Sequence, residues 1–226
     1  MGVEMEQEYW VPEHVREYLR SLGFILPIEP MEGYIRFWHE WMEASGSFYN
    51  YRDTDGFGRI YEVHRRSIHP AMRVCREWGS LLLNDKTSVV CDDQACTDFL
   101  GTFFNSSGFM PMAQATVVRA FGMGTGAWAL WADTGKKAVK IRHYDARMVI
   151  PLTWDEEGVT ECAFVTRVFY RGKAIDQLQM HLLGGLGTYR IDTVCFDHEG
   201  NQIEADGVLP SYETGCPFPT FSIVKP

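Results

Sequence analysis

The stretch FGMGTGAWALW, Phe121–Trp131, decides the fold because the hydrophobic period of the chain changes there. Before it, apolar residues recur every three or four positions, as in a helix; after it they alternate, as in a half-buried strand. Gly122, Gly124 and Ala127 also fit the G-x-G-x-x-[GA] pattern of dinucleotide-binding loops, and Thr134–Lys137 adds two lysines. The first question is therefore whether this stretch binds a nucleotide.

The order of elements around these glycines argues against a nucleotide site. A dinucleotide loop follows a strand and opens a helix, whose N-terminus faces the phosphates, whereas here a predicted helix precedes the glycines and a strand follows. A Walker loop would need glycine at Leu130 and serine or threonine at Lys137. We predict that the glycines end a helix and allow tight entry into a sheet. A nucleotide-binding enzyme that uses the Gly122–Ala127 turn is the alternative hypothesis.

Helical signals dominate the first half of the chain. Residues 11–24 have Pro12 near a helix start and Gly23 at its end, and the next helix is expected to stop at Gly46. Asp92 or Asp93 is expected to cap a later helix. The most regular amphipathic pattern has Pro70 in its first turn and an apolar stripe of Ala71, Val74, Cys75, Trp78, Leu81 and Leu82. We expect Trp78, Leu81 and Leu82 to form a shared helical core with Phe99, Phe103 and Phe104, against the sheet.

Between these helices, Ser47–Ser67 is rich in turn residues and has no hydrophobic period, so it is predicted to be a long loop. After Ala127, six alternating segments are separated by turn signals such as DEEG and RGK, which predicts antiparallel strands joined by hairpins. Helices followed by meandering strands indicate an α+β fold, with N-terminal helices packed against an antiparallel, hairpin-rich sheet. The predicted organisation is 1–68, helices and the long loop, and 69–226, the helical and sheet core.

Composition limits the classes of function. The chain has 226 residues, 46% of them hydrophobic, and a formal net charge of -9, so a surface that coats nucleic acid is not expected of this chain alone. The six cysteines show no C-x-x-C pair and are expected to be mostly reduced core thiols. The acidic, polar start predicts no secretory signal, and no apolar run is long enough for a membrane helix, so synthesis inside the cell is expected.

The candidate chemical groups all have simpler structural interpretations. His39-Glu40 lacks the second histidine of a zinc-protease helix, because position 43 is Glu43, and His64 and His69 lack a third ligand at a suitable spacing. Acidic clusters at 92–93 and 155–157 fall at an expected helix cap and hairpin turn. The pair at 65–66, two arginines, is expected in a solvated loop, with a phosphate contact as the alternative. No catalytic, cofactor-binding or metal-binding residue is therefore assigned.

Four longer segments follow one another in a recognisable order. They are a tryptophan-rich helix, an apolar helix closing on a Leu-Leu-x-Asn-x-Lys phrase, a helix-to-strand Gly-Thr-Gly-Ala turn, and a Pro-x-x-Trp phrase before an acidic turn and a CAFV strand. These correspond to Tyr34–Arg52, Ala71–Val90 with Leu82 to Lys86, Phe99–Trp131 with Gly124 to Ala127, and Lys140–Arg167 with Pro151, Trp154 and Ala163 to Val165. This order resembles the N-terminal half of portal proteins from long-tailed double-stranded DNA phages, and the resemblance runs from about Tyr34 to Pro226.

The resemblance implies a structural role and no catalysis. Portals are rings, usually dodecameric, at one capsid vertex, where they nucleate head assembly, dock the terminase motor and pass double-stranded DNA through their axis. The chain would match the outer wing portion, with stem, clip and crown absent, as a shortened piece or a truncated prophage product. Expected partners are further copies of itself, terminase, capsid, scaffold and head-completion proteins, with no membrane and no cofactor. The expected location is the virion, after assembly in the bacterial cytoplasm. Another phage head or tail structural protein is a further alternative.

Overall fold

The computed structural model describes residues 10–26, 28–133 and 137–225, and its fold class is α+β, as predicted. The helices in these ranges are α1 (Glu13–Ser21), α2 (Ile28–Met42), α3 (Gly46–Tyr49), α4 (Pro70–Leu82), α5 (Gln94–Ser107) and α6 (Phe109–Met123). The strands are β1 (Asn50–Thr54), β2 (Ile60–His64), β3 (Gly126–Asp133), β4 (Ala138–Asp145), β5 (Val149–Trp154), β6 (Val159–Tyr170), β7 (Lys173–Leu183), β8 (Tyr189–Phe196), β9 (Gln202–Ile203), β10 (Ser211–Glu213) and β11 (Phe221–Val224).

The chain divides into two compact units. Unit 1 combines the N-terminal segment up to Pro30 with Ala127–Ile223, and unit 2 comprises Met31–Gly126 and the residues from Val224 onward. The sequence-based organisation instead placed its boundary between residues 68 and 69. Unit 1 thus takes α1 from the far end of the chain, a long-range association that hydrophobic period alone does not reveal. Among the described helices, none has the length and apolar character needed to cross a membrane.

Unit 1 is built on an antiparallel sheet of order β10-β8-β7-β6-β5, with β9 paired to the end of β8 on the same side as β10. The predicted hairpins of this sheet are confirmed, whereas β4 and β5, which follow one another in the chain, lie in different sheets. Between β6 and β7, Arg171 and Gly172 both have positive φ, 50° and 78°, as a two-residue hairpin turn matched to strand twist requires. Between β5 and β6, the Asp155 carboxylate accepts hydrogen bonds from the amides of Glu157 and Gly158.

A second sheet of unit 1, of order β11-β3-β4, covers one face of the first. Phe164 of β6 lies at the centre of this contact and is completely buried. Its ring stacks on Tyr144 of β4 at 4.6 Å between centroids and meets the edge of Phe221 of β11 at 5.7 Å. Small residues of β3, Ala127 and Ala129, complete the cluster and let the two sheets approach.

Helix α1 covers the other face of the first sheet. It begins after Pro12 and ends before Gly23, whose φ of 91° is the left-handed conformation that the predicted helix end required. The Tyr18 ring lies edge-on to Phe196 of β8 at 5.5 Å. His14 Nε2 lies 3.3 Å from Asp176 Oδ2, at the distance but not the angle of a hydrogen bond, and Arg167 Nε donates to the other oxygen of the same carboxylate.

Strand β7 is consequently buried on both faces. Asp176 and Met180 face the side of α1, whereas Gln177, Gln179 and His181 face the second sheet. The polar side chains on that inner face are paired: Arg142 Nη1 donates to Gln177 at 2.9 Å, and the Tyr144 hydroxyl donates to Gln179 at 3.3 Å. This pairing removes most of the cost of burying polar groups between two sheets.

In unit 2, the predicted long loop at Ser47–Ser67 is wrong, because most of it forms an antiparallel hairpin of β1 and β2. The turn is fixed by Asp55, whose Oδ1 accepts from the amides of Phe57 and Arg59 at 2.9 Å each. Charged and polar residues occupy both faces of this hairpin, so the alternation that marks a half-buried strand is missing. Its strand pairing could not be seen as a hydrophobic period.

Helices α4 and α6 pack together in unit 2 through small residues. A Cβ on Gly79 would lie 2.5 Å from Val118 Cγ2, so the helices meet where α4 has no side chain. Gln114 Nε2 donates to the Leu83 carbonyl at 3.0 Å and closes the C-terminal end of α4. The predicted cap of α5 is confirmed at Asp93, whose carboxylate accepts from the Cys96 amide at 2.9 Å.

Candidate assembly surface

The glycine turn that raised the question of a nucleotide closes a helix, as predicted. Helix α6 ends at Met123, and Gly124, with φ 86°, donates its amide to the Ala120 carbonyl at 2.8 Å. The strand β3 follows at Gly126. A helix C-terminus presents carbonyl oxygens and the negative end of the helix dipole, the reverse of what a phosphate needs.

Two of the glycines have a packing role within unit 2. A Cβ on Gly122 would lie 1.8 Å from the sulfur of Met42, which is buried, and one on Gly124 would lie 3.1 Å from the Trp38 ring. Helix α2 can therefore lie directly on the end of α6. The interpretation that these glycines serve backbone geometry and close approach fits both positions, while the role of the buried Gly126 stays a prediction.

The other candidate chemical residues lie apart from one another. His64 Nδ1 is 2.8 Å from Asn50 Oδ1 across the hairpin, and His69 precedes α4 with an exposed side chain. Arg65 packs its guanidinium 4.5 Å from the Phe48 ring centroid and 5.0 Å from that of Tyr51. Within the described ranges, no group of three or more His, Cys, Asp or Glu side chains is arranged to hold a metal ion.

Unit 1 carries an open groove of about 830 Å³ between the end of α1 and strands β7 to β10. Two of its charged groups are paired: Arg190 Nη2 lies 3.0 Å from Asp192 Oδ2, and the Ser211 hydroxyl donates to Asp192 Oδ1 at 2.6 Å. The pKa of Tyr18, on the same groove, is raised by burial and by the negative charge of Asp192. Tyr18 therefore stays protonated at neutral pH, and no activated acid or base results.

The most unusual surface lies on α4. Its outer face, formed by Val74, Trp78, Leu81 and Leu82, consists of large apolar side chains that are about half exposed or more, Leu81 reaching 69%. The buried side of the same helix is made by the small residues Cys75 and Gly79. An ordinary surface helix has the opposite arrangement, with its large apolar residues turned inward.

The expected shared core of Trp78, Leu81 and Leu82 with Phe99, Phe103 and Phe104 is therefore wrong. The Trp78 ring stacks on Phe121 of α6 at 5.7 Å, but its side chain is 48% exposed. In α5, which is described in full, no residue is buried, and Phe99 is 65% exposed. Its rings contact one another and the start of α6, with Phe99 to Phe103 at 6.1 Å and Phe104 to Phe109 of α6 at 4.5 Å between centroids.

Exposed aromatic residues continue on α2, α3 and the hairpin. Tyr34 and Phe37 of α2 and Phe48 of α3 are each at least half exposed, and Phe57 at the hairpin turn is 90% exposed. The turn that carries Phe57 is held by the Asp55 carboxylate. Unit 2 as a whole thus presents apolar side chains that a folded chain normally buries.

Comparisons with known proteins identify no family. No protein-family model matches the chain, and no curated protein matches it. Function is therefore inferred from the surface of unit 2 and from the order of motifs in the sequence. The residues of the α4 outer face are recognisable from their helical period, but that period led to their expected placement in a core.

Proposed function

We propose that this chain is a structural subunit of a phage portal ring, from the wing portion, which supports DNA packaging and ejection and the joining of head to tail. The observation that carries the proposal is the outer face of α4, where four large apolar side chains remain about half exposed or more. The order of motifs from Tyr34 onward supports the choice of a portal among assembly proteins. In this role the chain performs no catalysis, and terminase would supply ATP hydrolysis.

A ring of identical subunits accounts for several different exposed apolar surfaces on one chain better than a symmetric dimer does, because a symmetric dimer uses the same surface on both subunits. A ring uses a heterologous interface, in which each subunit presents two different surfaces to its two neighbours. Unit 2 offers apolar surfaces on different elements, the outer face of α4, the rings of α5 and the hairpin turn at Phe57. Tryptophan and other aromatic residues are also frequent anchors of protein interfaces.

The proposed partners follow from that assignment. They are further copies of the chain, usually as a dodecamer when complete, together with terminase, capsid and scaffold proteins and head-completion proteins. Double-stranded DNA would pass through the axis of the complete ring, and the location would be the capsid vertex. The formal charge of -9 is compatible with a wing that meets proteins more than DNA.

Assembly in solution tests the proposal. We expect the 226-residue chain to be a monomer or small oligomer, because portal rings draw much of their contact from the stem and clip. A chain extended through those regions should close into a ring, measured by light scattering and seen by electron microscopy. A stable dodecamer from the 226 residues alone would refute weak wing contacts. Failure of the extended chain to form any ring would count against the portal assignment.

A pair of matched variants tests the α4 face directly. In the extended chain, Leu81→Glu should block ring closure, because it places a charge where we expect an apolar contact. Arg76→Glu introduces the same side chain at another exposed position of α4 and should allow closure. Equal assembly of both variants would show that the α4 face is not an interface.

The alternatives give different results. A nucleotide-binding enzyme that uses Gly122–Ala127 would bind ATP or a nicotinamide cofactor with micromolar affinity, and Gly126→Val would abolish that binding. Another phage head or tail protein would be distinguished by its gene neighbours. A terminase large-subunit gene just upstream and a head-morphogenesis gene downstream favour the portal.

A further inference from the structure

We propose that Cys91 and Cys96 form a dithiol site that is oxidised reversibly to an intramolecular disulfide by a disulfide oxidant of the glutathione class. Both cysteines are free and exposed, whereas Cys75, Cys162 and Cys195 are buried. This site is independent of the portal assignment, because it depends only on the start of α5 in unit 2.

The geometry that brings the two thiols together is built into the helix cap. Asp93 is the cap residue, so Cys91 lies two positions before the cap and Cys96 lies in the first turn of α5. The Thr97 hydroxyl accepts from the Cys91 amide at 2.9 Å and lies 3.2 Å from the Cys91 carbonyl, to which it donates. These bonds fix the backbone of residue 91 against the first turn.

The two side chains project from this fixed backbone. Interaction with the Cys96 thiol raises the pKa of Cys91 above its ordinary value, with a smaller contribution from burial. A disulfide requires Cα atoms no more than about 7 Å apart, a separation that a chain folded back on its own first helical turn can meet. The Asp93 carboxylate meanwhile holds the Cys96 amide at 2.9 Å, so the first turn keeps its place.

The exchange balances with one molecule of oxidant. The Cys96 thiolate attacks one sulfur of glutathione disulfide, which forms a mixed disulfide and releases one glutathione thiolate. Cys91, whose proton is held more firmly than usual, then loses it to solvent and attacks the Cys96 sulfur. The second glutathione leaves, so two protein thiols are oxidised and one glutathione disulfide is reduced to two thiols. Excess glutathione reverses the reaction.

Peptide mapping tests the site in the intact folded chain. After treatment with glutathione disulfide and blocking of remaining thiols, trypsin should release residues 87–119, which contain both cysteines and no other. We expect this peptide to be unblocked and about 2 Da lighter than its reduced form. Because the second step is intramolecular, this form should exceed the mixed disulfide by more than about 10-fold.

Serine variants supply the control. Cys91→Ser should accumulate glutathione at Cys96, and the control variant Cys216→Ser should behave as the unchanged chain does. Phenylarsine oxide, which bridges two close thiols, should protect both cysteines from alkylation in the unchanged chain but not in Cys91→Ser or Cys96→Ser. A mixed disulfide that persists in the unchanged chain, or equal alkylation in all these proteins after the arsenical, would overturn the proposal.

Discussion

The two units of the molecule use their aromatic residues in opposite ways. Unit 1 buries Phe164 and Phe196 completely, between its two sheets and under α1, whereas unit 2 leaves Phe99 and Phe57 mostly in solvent. Full burial of such a side chain contributes about 1.5 to 3 kcal/mol to the free energy of unfolding, and exposure contributes little. Unit 1 therefore encloses its large aromatic side chains in a core, whereas unit 2 leaves several of them on its surface.

Both units are rich in apolar residues, so the difference in the burial of their aromatic side chains does not follow from composition. The positions of small residues differ between the two units. In unit 1, Ala127 and Ala129 leave room for Phe164 inside the core. In unit 2, Gly79 lets α4 and α6 approach closely, while the large apolar side chains of α4 lie beside this contact and remain about half exposed or more.

The largest expected effect is the loss of an aromatic ring from unit 1. Phe164→Ala removes a buried ring that contacts Tyr144, His181 and Phe221, so we expect the free energy of unfolding to fall by about 3 to 5 kcal/mol. Urea unfolding followed by circular dichroism measures this loss. Phe99→Ala, the same substitution at an exposed site of unit 2, should cost far less. A similar fall in the free energy of unfolding for both variants would show that the two units do not differ in how they bury their aromatic residues.

A pH effect tests the polar part of the same core. Burial lowers the pKa of His181 to about 4, and its Nδ1 lies 2.7 Å from the Thr220 hydroxyl. The folded state holds a neutral ring, so its stability contribution is present above the unfolded pKa near 6.5 and is lost as the pH falls toward 4. Between about pH 7 and pH 5 the free energy of unfolding should fall by about 2 kcal/mol from this group.

The comparison for that experiment is His181→Gln, which keeps a polar side chain without a titrating ring. Its absolute stability is expected to be lower, so the quantity to compare is the change between the two pH values. A variant that loses as much stability between them as the unchanged chain would show that His181 is not responsible.

A smaller effect is expected at the glycine turn of unit 2. Gly124→Ala places a side chain on a residue with φ 86° and 3.1 Å from the Trp38 ring, so it should cost about 1 kcal/mol or more. Gly33→Ala in α2 meets no atom within 4 Å and should be neutral or stabilising, because alanine favours a helix. Differential scanning calorimetry of the two variants decides this, and an equal shift in Tm for both would contradict the role of Gly124.

The smallest effect on stability is expected on the outer face of α4. Leu81→Gln should change the free energy of unfolding by less than about 0.5 kcal/mol, because the side chain is already in water. The same substitution should reduce self-association at high concentration, measured by sedimentation velocity. Marked destabilisation by Leu81→Gln would mean that α4 is turned inward, and unit 2 would then resemble unit 1.

Much of unit 1 could be predicted from local sequence. The strands β3 to β8 are predicted by their alternation, and the turn at Arg171-Gly172 has a glycine, which is suited to positive φ. The hydrophobic period does not predict that β7 is covered on both faces. The polar side chains of Gln177, Gln179 and His181 are typical of a strand face exposed to solvent, yet they are buried. They are buried since Arg142, Tyr144 and Thr220 pair with them, and those partners come from distant segments.

Prediction was less successful in unit 2, for physical reasons that differ between elements. The hairpin at Asn50–His64 was missed because pairing within a polar ribbon leaves no hydrophobic alternation. The apolar stripe on the outer face of α4 was identified from the sequence but was wrongly placed in a core of this chain. An apolar stripe indicates only that a face is unfavourable in water. It does not indicate whether the residues that cover the face belong to the same chain. Glycine at position 79 was the one local sign that the neighbouring face makes the close contact.

The burial of β7 on both faces has a consequence for slow motions of the protein. Between Asp176 and His181, β7 pairs with β6 on one side and β8 on the other, so the amides of this central part cannot reach solvent through a frayed edge. Deuterium should therefore enter these amides only through opening of the whole of unit 1, while the polar ribbon of β1 and β2 exchanges through local opening. The exchange rate at the middle of β7 would then report the global stability of unit 1 from a single strand.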